Sequence, residues 1–203
     1  KPDNAPAGYQ YTRVHLIYDV KHDGQHKARL VLDGHLTEIP VEAVYSSVVS
    51  LRSLRLITFP AAHNQLELWG ADIGNAYLES YTKEKLYIVA GPEFRPELEG
   101  HILIMKKALY GTRSGGKCWH QRFSDVLREE QFEPCKTCTN VWMRKASCGT
   151  HYEYIAVYVD DLLMAMKDPK VFCDTLKQKY NFKLKGDGPI DYHIGLNYSQ
   201  DED

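Results

Sequence analysis

Residues 152–166 read YEYIAVYVDDLLMAM, two apolar runs interrupted by Asp160-Asp161. The first run, Tyr152 to Val159, has the β-branched and aromatic character of a strand, and Leu162 to Met166 is apolar throughout. Adjacent carboxylates in such a frame are costly, because like charges repel and burial disfavours ionisation. A tight turn carrying two carboxylates can instead hold a divalent cation, which removes the repulsion. Mg²⁺ takes oxygen ligands, commonly one or two carboxylates together with substrate phosphates. A plain Asp-Asp hairpin turn is the simpler alternative.

Working outward, Val141 to Arg144 and Tyr152 to Val159 form a hairpin across a polar, Gly-containing stretch. Upstream, Gln65 to Ala71 reads as a strand running into Asp72. If that strand neighbours the Asp160-Asp161 turn, three carboxylates surround a space fit for two metal ions about 4 Å apart, as in-line phosphoryl transfer requires. An ordinary strand-end acid is the alternative for Asp72. Tyr11 to Val20 alternates with period two and leads through Lys21-His22-Asp23-Gly24 into a second strand, His26 to Leu32. Ser46 or Ser47 can cap a helix through about Phe59, and Pro60 should end or kink it. Leu86 to Ala90 and His101 to Met105 are further strands. Ser114 to about Gln131 and Val171 to Tyr180 are amphipathic helices, and Tyr192 to Tyr198 is a last strand. This mixture, with many short turns, predicts an α+β fold with a largely antiparallel sheet.

The chain has 203 residues, 43% hydrophobic and 26% charged, enough apolar material for a real core. No window approaches the apolar length of a membrane span. The start, KPDNAPAGYQ, has no leader pattern and reads as a fragment start or polyprotein cut. Five cysteines suggest a reduced compartment. The net charge of −2 hides segregation. Lys106, Lys107, Arg113, Lys117 and Arg122 lie in a stretch from Gly100 to Ser124 that contains no acid. Such a block is either the solvated face of a helix or a track for phosphates.

The ordered motifs are similar to the reverse transcriptase of copia-type (pseudoviral) LTR retrotransposons. KARLV from Lys27, YSSVVSLRSLRLITFPAAHN from Tyr45, DIGNAYL from Asp72, KKALYGTRSGGKCW from Lys106, YVDDLL from Tyr158 and HIGLNY from His193 resemble successive family segments. The likeness runs from about Tyr11 to Tyr198. It implies a right-hand polymerase, fingers and palm, over residues 11–198. A flexible segment, 1–10, would precede it, and an acidic end, 199–203, would stop short of the thumb. By this resemblance Asp72, Asp160 and Asp161, with the backbone carbonyl of Ile73, would bind two Mg²⁺ ions, Mn²⁺ being a substitute. Lys27, Arg29, Tyr77, Tyr110 and Gly111 would contact the deoxynucleoside triphosphate, Tyr77 as the steric gate against a 2′-hydroxyl. Lys106, Lys107, Arg113, Lys117 and Tyr158 would contact an RNA or DNA template with its primer. Lys183 or Lys185 would protonate the leaving pyrophosphate. The resemblance further implies thumb, RNase H and integrase segments in the same polyprotein, no membrane, and cytoplasmic virus-like particles, with the nucleus as an alternative location. Asp33-Gly34, Pro60 and Ser114-Gly115-Gly116 depart from the family pattern.

A rival constellation is Cys135-x2-Cys138 with Cys148-x2-His151, spaced as a zinc clamp could be. Idle cysteines are the alternative. Neither a nucleophile elbow nor a Walker-type phosphate loop is present. Two further functions stand beside polymerase activity: a decayed copy that binds nucleic acid without synthesis, and an unrelated RNA-binding module.

Overall fold

A computed structural model describes residues 4–20, 24–40 and 46–199. The turn expected at residues 21–23, the first residue of the helical motif (Tyr45) and the acidic residues 201–203 lie outside these. In chain order the strands and helices are β1 (Gln10–Tyr11), β2 (Val14–Val20), β3 (His26–Leu32), α1 (Leu51–His63), β4 (Glu67–Ile73), β5 (Leu86–Val89) and β6 (Ile102–Ile104). They continue with α2 (Gly115–Glu129), β7 (Glu133–Pro134), β8 (Val141–Lys145), β9 (Tyr152–Tyr158), β10 (Asp161–Met166), α3 (Pro169–Gln178), β11 (Leu184–Pro189), β12 (Tyr192–His193) and β13 (Leu196–Asn197). Two compact units result, residues 1–46 with 77–122, and residues 47–76 with 123–203. No helix among the described residues is long and apolar enough to cross a membrane.

In the first unit β2 and β3 form an antiparallel hairpin, with Val14 opposite Leu32 and Ile17 opposite Arg29. A separate sheet pairs β1 parallel to β5 and β5 antiparallel to β6. Leu32, Leu86 and Leu109 are buried together, with Val14, Leu30 and Met105 packed around them.

The second unit carries one six-stranded sheet, ordered β11-β4-β10-β9-β8-β7, and every pairing in it is antiparallel. Its centre is β10, paired on both sides. Side chains alternate along a strand, and Leu163 and Ala165 join Leu54, Ile57 and Ala61 of α1 in one buried cluster. Leu162, Met164 and Met166 point to the other face and are equally buried. Both sides are covered, which is why this strand reads as an unbroken apolar run.

Three expected boundaries change. The cap of α1 is Ser50, whose hydroxyl accepts the Ser53 N–H at 3.1 Å, not Ser46 or Ser47. Residues 47–49 stay outside the helix because tertiary bonds claim them: Ser47 Oγ accepts from the Asn140 side chain, and the Val49 N–H donates to the Val157 carbonyl. Helix α1 also passes through Pro60 to His63. The carbonyl that Pro60 leaves unpaired belongs to Leu56, a residue 62% exposed, so water can take the place of the lost bond. Finally, the expected strand 192–198 is a tight hairpin. His193 pairs with Leu196 across Ile194 and Gly195, whose φ values of +48° and +77° have the signs of a type I′ turn.

Candidate active site

The turn between β9 and β10 is a two-residue connection, Val159-Asp160, closed by the Tyr158–Asp161 pair. Val159 has φ +59°, a conformation that a β-branched side chain strongly disfavours. Of the two central residues only Val159 is left-handed, the pattern of a type II′ turn, in which glycine is the usual occupant. The turn therefore holds strain of about 1–3 kcal/mol, maintained by the strands on either side.

Strand β4 lies beside this turn. Asp161 is directly opposite Asp72, Leu163 is opposite Gly70, and the Ile73 N–H donates to the Asp160 carbonyl at 2.8 Å. Asp72 and Gly70 share a face of β4. Gly70 has to be bare, since a Cβ there would come within 2.7 Å of Ile190 Cγ2. On the other side of β4, Lys185 of β11 is opposite Asp72, and the Gly74 N–H donates to the Lys183 carbonyl at 2.7 Å. The order across the sheet is thus Asp161, Asp72, Lys185.

The electrostatics follow from this register. Burial pushes the Asp161 carboxyl up to about 6, and the charges of Asp160 and Asp72 add to the rise. Like charges within reach of one another and a half-buried carboxylate are what a divalent cation relieves. The donor set, carboxylate oxygens on a turn and a strand end, has the hard chemistry that Mg²⁺ accepts. Among the described residues, however, no three His, Cys, Asp or Glu side chains are drawn together tightly enough to hold an ion. The main chain brings the acids into register without closing their side chains into a cage.

In the first unit another set of expected residues comes together. The rings of Tyr77 and Tyr110 meet edge to face with centroids 4.6 Å apart, and the Arg29 guanidinium lies 5.8 Å from the Tyr110 centroid. Lys27 and Arg29 share a face of β3. Three other residues are already engaged by the protein. Gly111, at φ +91°, lies against the β3 backbone, where a Cβ would come within 2.0 Å of the Leu32 carbonyl oxygen. Its freedom thus serves the approach of two protein backbones. Arg113 donates from Nε to the Thr37 carbonyl and from an Nη to the His35 carbonyl, tying down the turn at Gly34–Leu36. Lys107 stacks over Tyr81 at 4.3 Å. Lys106 is exposed, Lys117 lies in the first turn of α2, and Tyr158 is 37% exposed at the end of β9.

The zinc constellation does not assemble. Cys135 and Cys138 precede β8, whereas Cys148 and His151 lie in the turn after it. A five-residue strand, about 15 Å long, separates the two pairs. Two features went unread in the sequence. The strand β11, which sets Lys185 opposite Asp72, is hidden by LKGDGP, a segment with the composition of a turn. Glu84, whose carboxylate accepts from the Ser114 N–H at 2.8 Å and from its hydroxyl at 2.5 Å, secures the start of α2. No local pattern announces it, because the contact spans thirty positions.

Residues 2–203 match the family described as reverse transcriptase (RNA-dependent DNA polymerase). The chain is 26% identical over 201 residues to the retrovirus-related Pol polyprotein from transposon TNT 1-94 of Nicotiana tabacum, covering 94% of this chain and 15% of that protein. It is 29% identical over 190 residues to the transposon Ty1-DR1 Gag-Pol polyprotein of Saccharomyces cerevisiae, covering 88% of this chain and 10% of the relative. The chain thus spans a small part of the curated relatives, which are multi-domain polyproteins. With the match extending over nearly its whole length, the chain belongs to the reverse transcriptase (RNA-dependent DNA polymerase) family, in the group carried by copia-type LTR retrotransposons.

Proposed function

We propose that this chain is the catalytic part of an RNA-directed DNA polymerase, its first unit serving as fingers and its second as palm. It would extend a primer on an RNA or DNA template by adding deoxynucleotides to the 3′-hydroxyl. The observation that carries this reading is the register of β4 with β10, which sets Asp72 against Asp161 beside the strained Asp160 turn. Asp72, Asp160 and Asp161, with the Ile73 carbonyl, would hold two Mg²⁺ ions, for which Mn²⁺ could substitute. Bound there, the ions supply charge neutralisation at the α-phosphate and acidify the primer hydroxyl.

The protein's own groups provide the positioning. The sheet fixes the Asp72 and Asp161 positions relative to each other, and the Ile73–Asp160 hydrogen bond anchors the turn between them. Fixed backbone positions of this kind leave only the carboxylate side chains to adjust when charge is bound. Lys185, across the strand from Asp72, is the better placed of the two lysines to protonate the leaving pyrophosphate. Tyr77 would select the deoxyribose, with Tyr110, Arg29 and Lys27 contributing to the same nucleotide. Lys106, Lys107, Arg113, Lys117 and Tyr158 would contact template and primer. Arg113 and Lys107 would do so while keeping their contacts with Thr37, His35 and Tyr81. Thumb, RNase H and integrase segments of one polyprotein would complete the machine, in cytoplasmic virus-like particles or in the nucleus.

Primer extension on poly(A)–oligo(dT), wild type against Asp160→Asn, tests the assignment. Incorporation should fall at least ~100-fold, the scale of losing one preorganised transition-state contact. Incorporation that survives the substitution would remove Asp160 from the site. Template binding without incorporation by the wild-type polyprotein product would instead mark a nucleic-acid-binding protein that does not synthesise.

A further inference from the structure

The polymerase reading leaves Cys135-Lys136-Thr137-Cys138 unused. These four residues form a turn closed by the Cys138 N–H donating to the Cys135 carbonyl at 3.3 Å. The turn is framed by two more bonds, from the Cys135 N–H to the Val141 carbonyl at 2.7 Å and from the Val141 N–H to the Cys138 carbonyl at 2.9 Å. A turn of this kind holds its end Cα atoms within about 7 Å, and a disulfide spans about 4.4–6.8 Å between Cα atoms. Both thiols are partly accessible, and both border the cluster of Leu54, Ile57 and Leu163.

The two sulfurs differ in their surroundings. Cys135 Sγ lies 3.6 Å from the Thr137 hydroxyl. That hydroxyl, helped by the backbone N–H groups of Thr137, Cys138 and Lys136, holds the thiol below its ordinary range. Cys138 Sγ accepts a hydrogen bond from the Ser53 hydroxyl at 3.2 Å. An attacking thiolate and a neighbouring partner in a Cys-x-x-Cys turn are the two parts that thiol–disulfide exchange needs. The remaining cysteines lack one part or the other: Cys173 is buried and pushed up to about 11, Cys148 is exposed at the far end of β8, and Cys118 has no second cysteine in its turn.

We propose that Cys135 and Cys138 are a redox-active dithiol, which a small-molecule disulfide oxidises to an intramolecular bridge. The Cys135 thiolate attacks one sulfur of the oxidant R–S–S–R, forming a mixed disulfide and releasing RS⁻. Cys138 loses its proton to solvent and attacks Cys135 Sγ, displacing the second RS⁻. The dithiol is oxidised by two electrons, and the oxidant is reduced to two thiols. Oxidation draws Cys138 Sγ toward Cys135 and withdraws the acceptor of the Ser53 hydroxyl, in the first turn of α1. Ser53 also completes the Ser50 cap, so the redox state is felt at the start of the helix that packs against β10.

The test equilibrates the full, reduced chain with mixtures of reduced and oxidised glutathione, followed by acid quenching, alkylation and peptide mass spectrometry. The wild type should form the Cys135–Cys138 bridge with little persisting adduct. In Cys138→Ser the glutathione adduct should accumulate on Cys135, about tenfold faster than on Cys138 in Cys135→Ser. Circular dichroism of both variants establishes that they fold. A wild type that keeps a stable adduct on Cys135, or two cysteines of equal reactivity, overturns the proposal. Stoichiometric zinc that protects both thiols from alkylation also overturns it.

Discussion

Replacing Asp161 by Asn should stabilise the metal-free protein and, on the polymerase reading, abolish incorporation; the size of the stability effect follows from its surroundings. Burial and the neighbouring Asp160 and Asp72 raise the carboxyl from 3.8 to about 6 in the folded state. An acid whose folded value is raised contributes stability that is complete below the unfolded value and is lost as pH rises through the folded one. At 1.36 kcal/mol per pH unit, the charged form costs at most about 3 kcal/mol above pH 6. Solvent reaching the half-buried turn should reduce this to roughly 1–1.5 kcal/mol. Urea denaturation of wild type and Asp161→Asn, without divalent ions, should therefore give curves that nearly coincide close to pH 4. The variant should gain over about pH 4 to 6.5 and hold a constant lead above that. In a domain of this size the lead corresponds to about 2–6 °C in melting temperature. Millimolar Mg²⁺ should then raise the wild type and leave the variant unmoved. A lead independent of pH, or a variant less stable than the wild type at pH 8, would refute the electrostatic account.

Val159→Gly removes the β-branched side chain from its left-handed position and should raise stability by about 1 kcal/mol in chemical denaturation, relief of strain exceeding the entropy that glycine adds to the unfolded chain. Gly111→Ala should do the reverse, costing about 3 kcal/mol or more, because the new methyl meets the Leu32 carbonyl in a backbone conformation that alanine disfavours. Tyr77→Ala should narrow the preference for deoxynucleotides over ribonucleotides in primer extension; unchanged discrimination would take Tyr77 out of the nucleotide site.

What the sequence disclosed was what depends on short-range pattern. The period-two run of β2, the apolar frame of β9 and β10, and the amphipathic faces of α2 and α3 are all local, and each element forms within a few residues of its expected limits. The likeness to copia-type polymerases also singled out Asp72, and the register confirms that its strand adjoins the turn. Misreadings came from contacts made at a distance. Ser46 and Ser47 resemble caps, yet Asn140 and Val157 hold their neighbourhood out of the helix. The Gly-Asp-Gly-Pro of β11 mimics a loop because pairing with β4, interrupted between Lys185 and Gly188, imposes strand structure on residues with little preference for it.

The pairing of β4 with β10 also bears on the order of assembly. The Asp160-Asp161 hairpin closes through neighbours in the chain and can form early, whereas Asp72 must be recruited across about ninety residues. In the folding chain Asp160 and Asp161 can thus be set in their turn before Asp72, though made earlier, pairs beside them. On the two-metal reading proposed above, ion uptake would appear only once the central sheet is complete, a late reporter of folding rather than a nucleus for it.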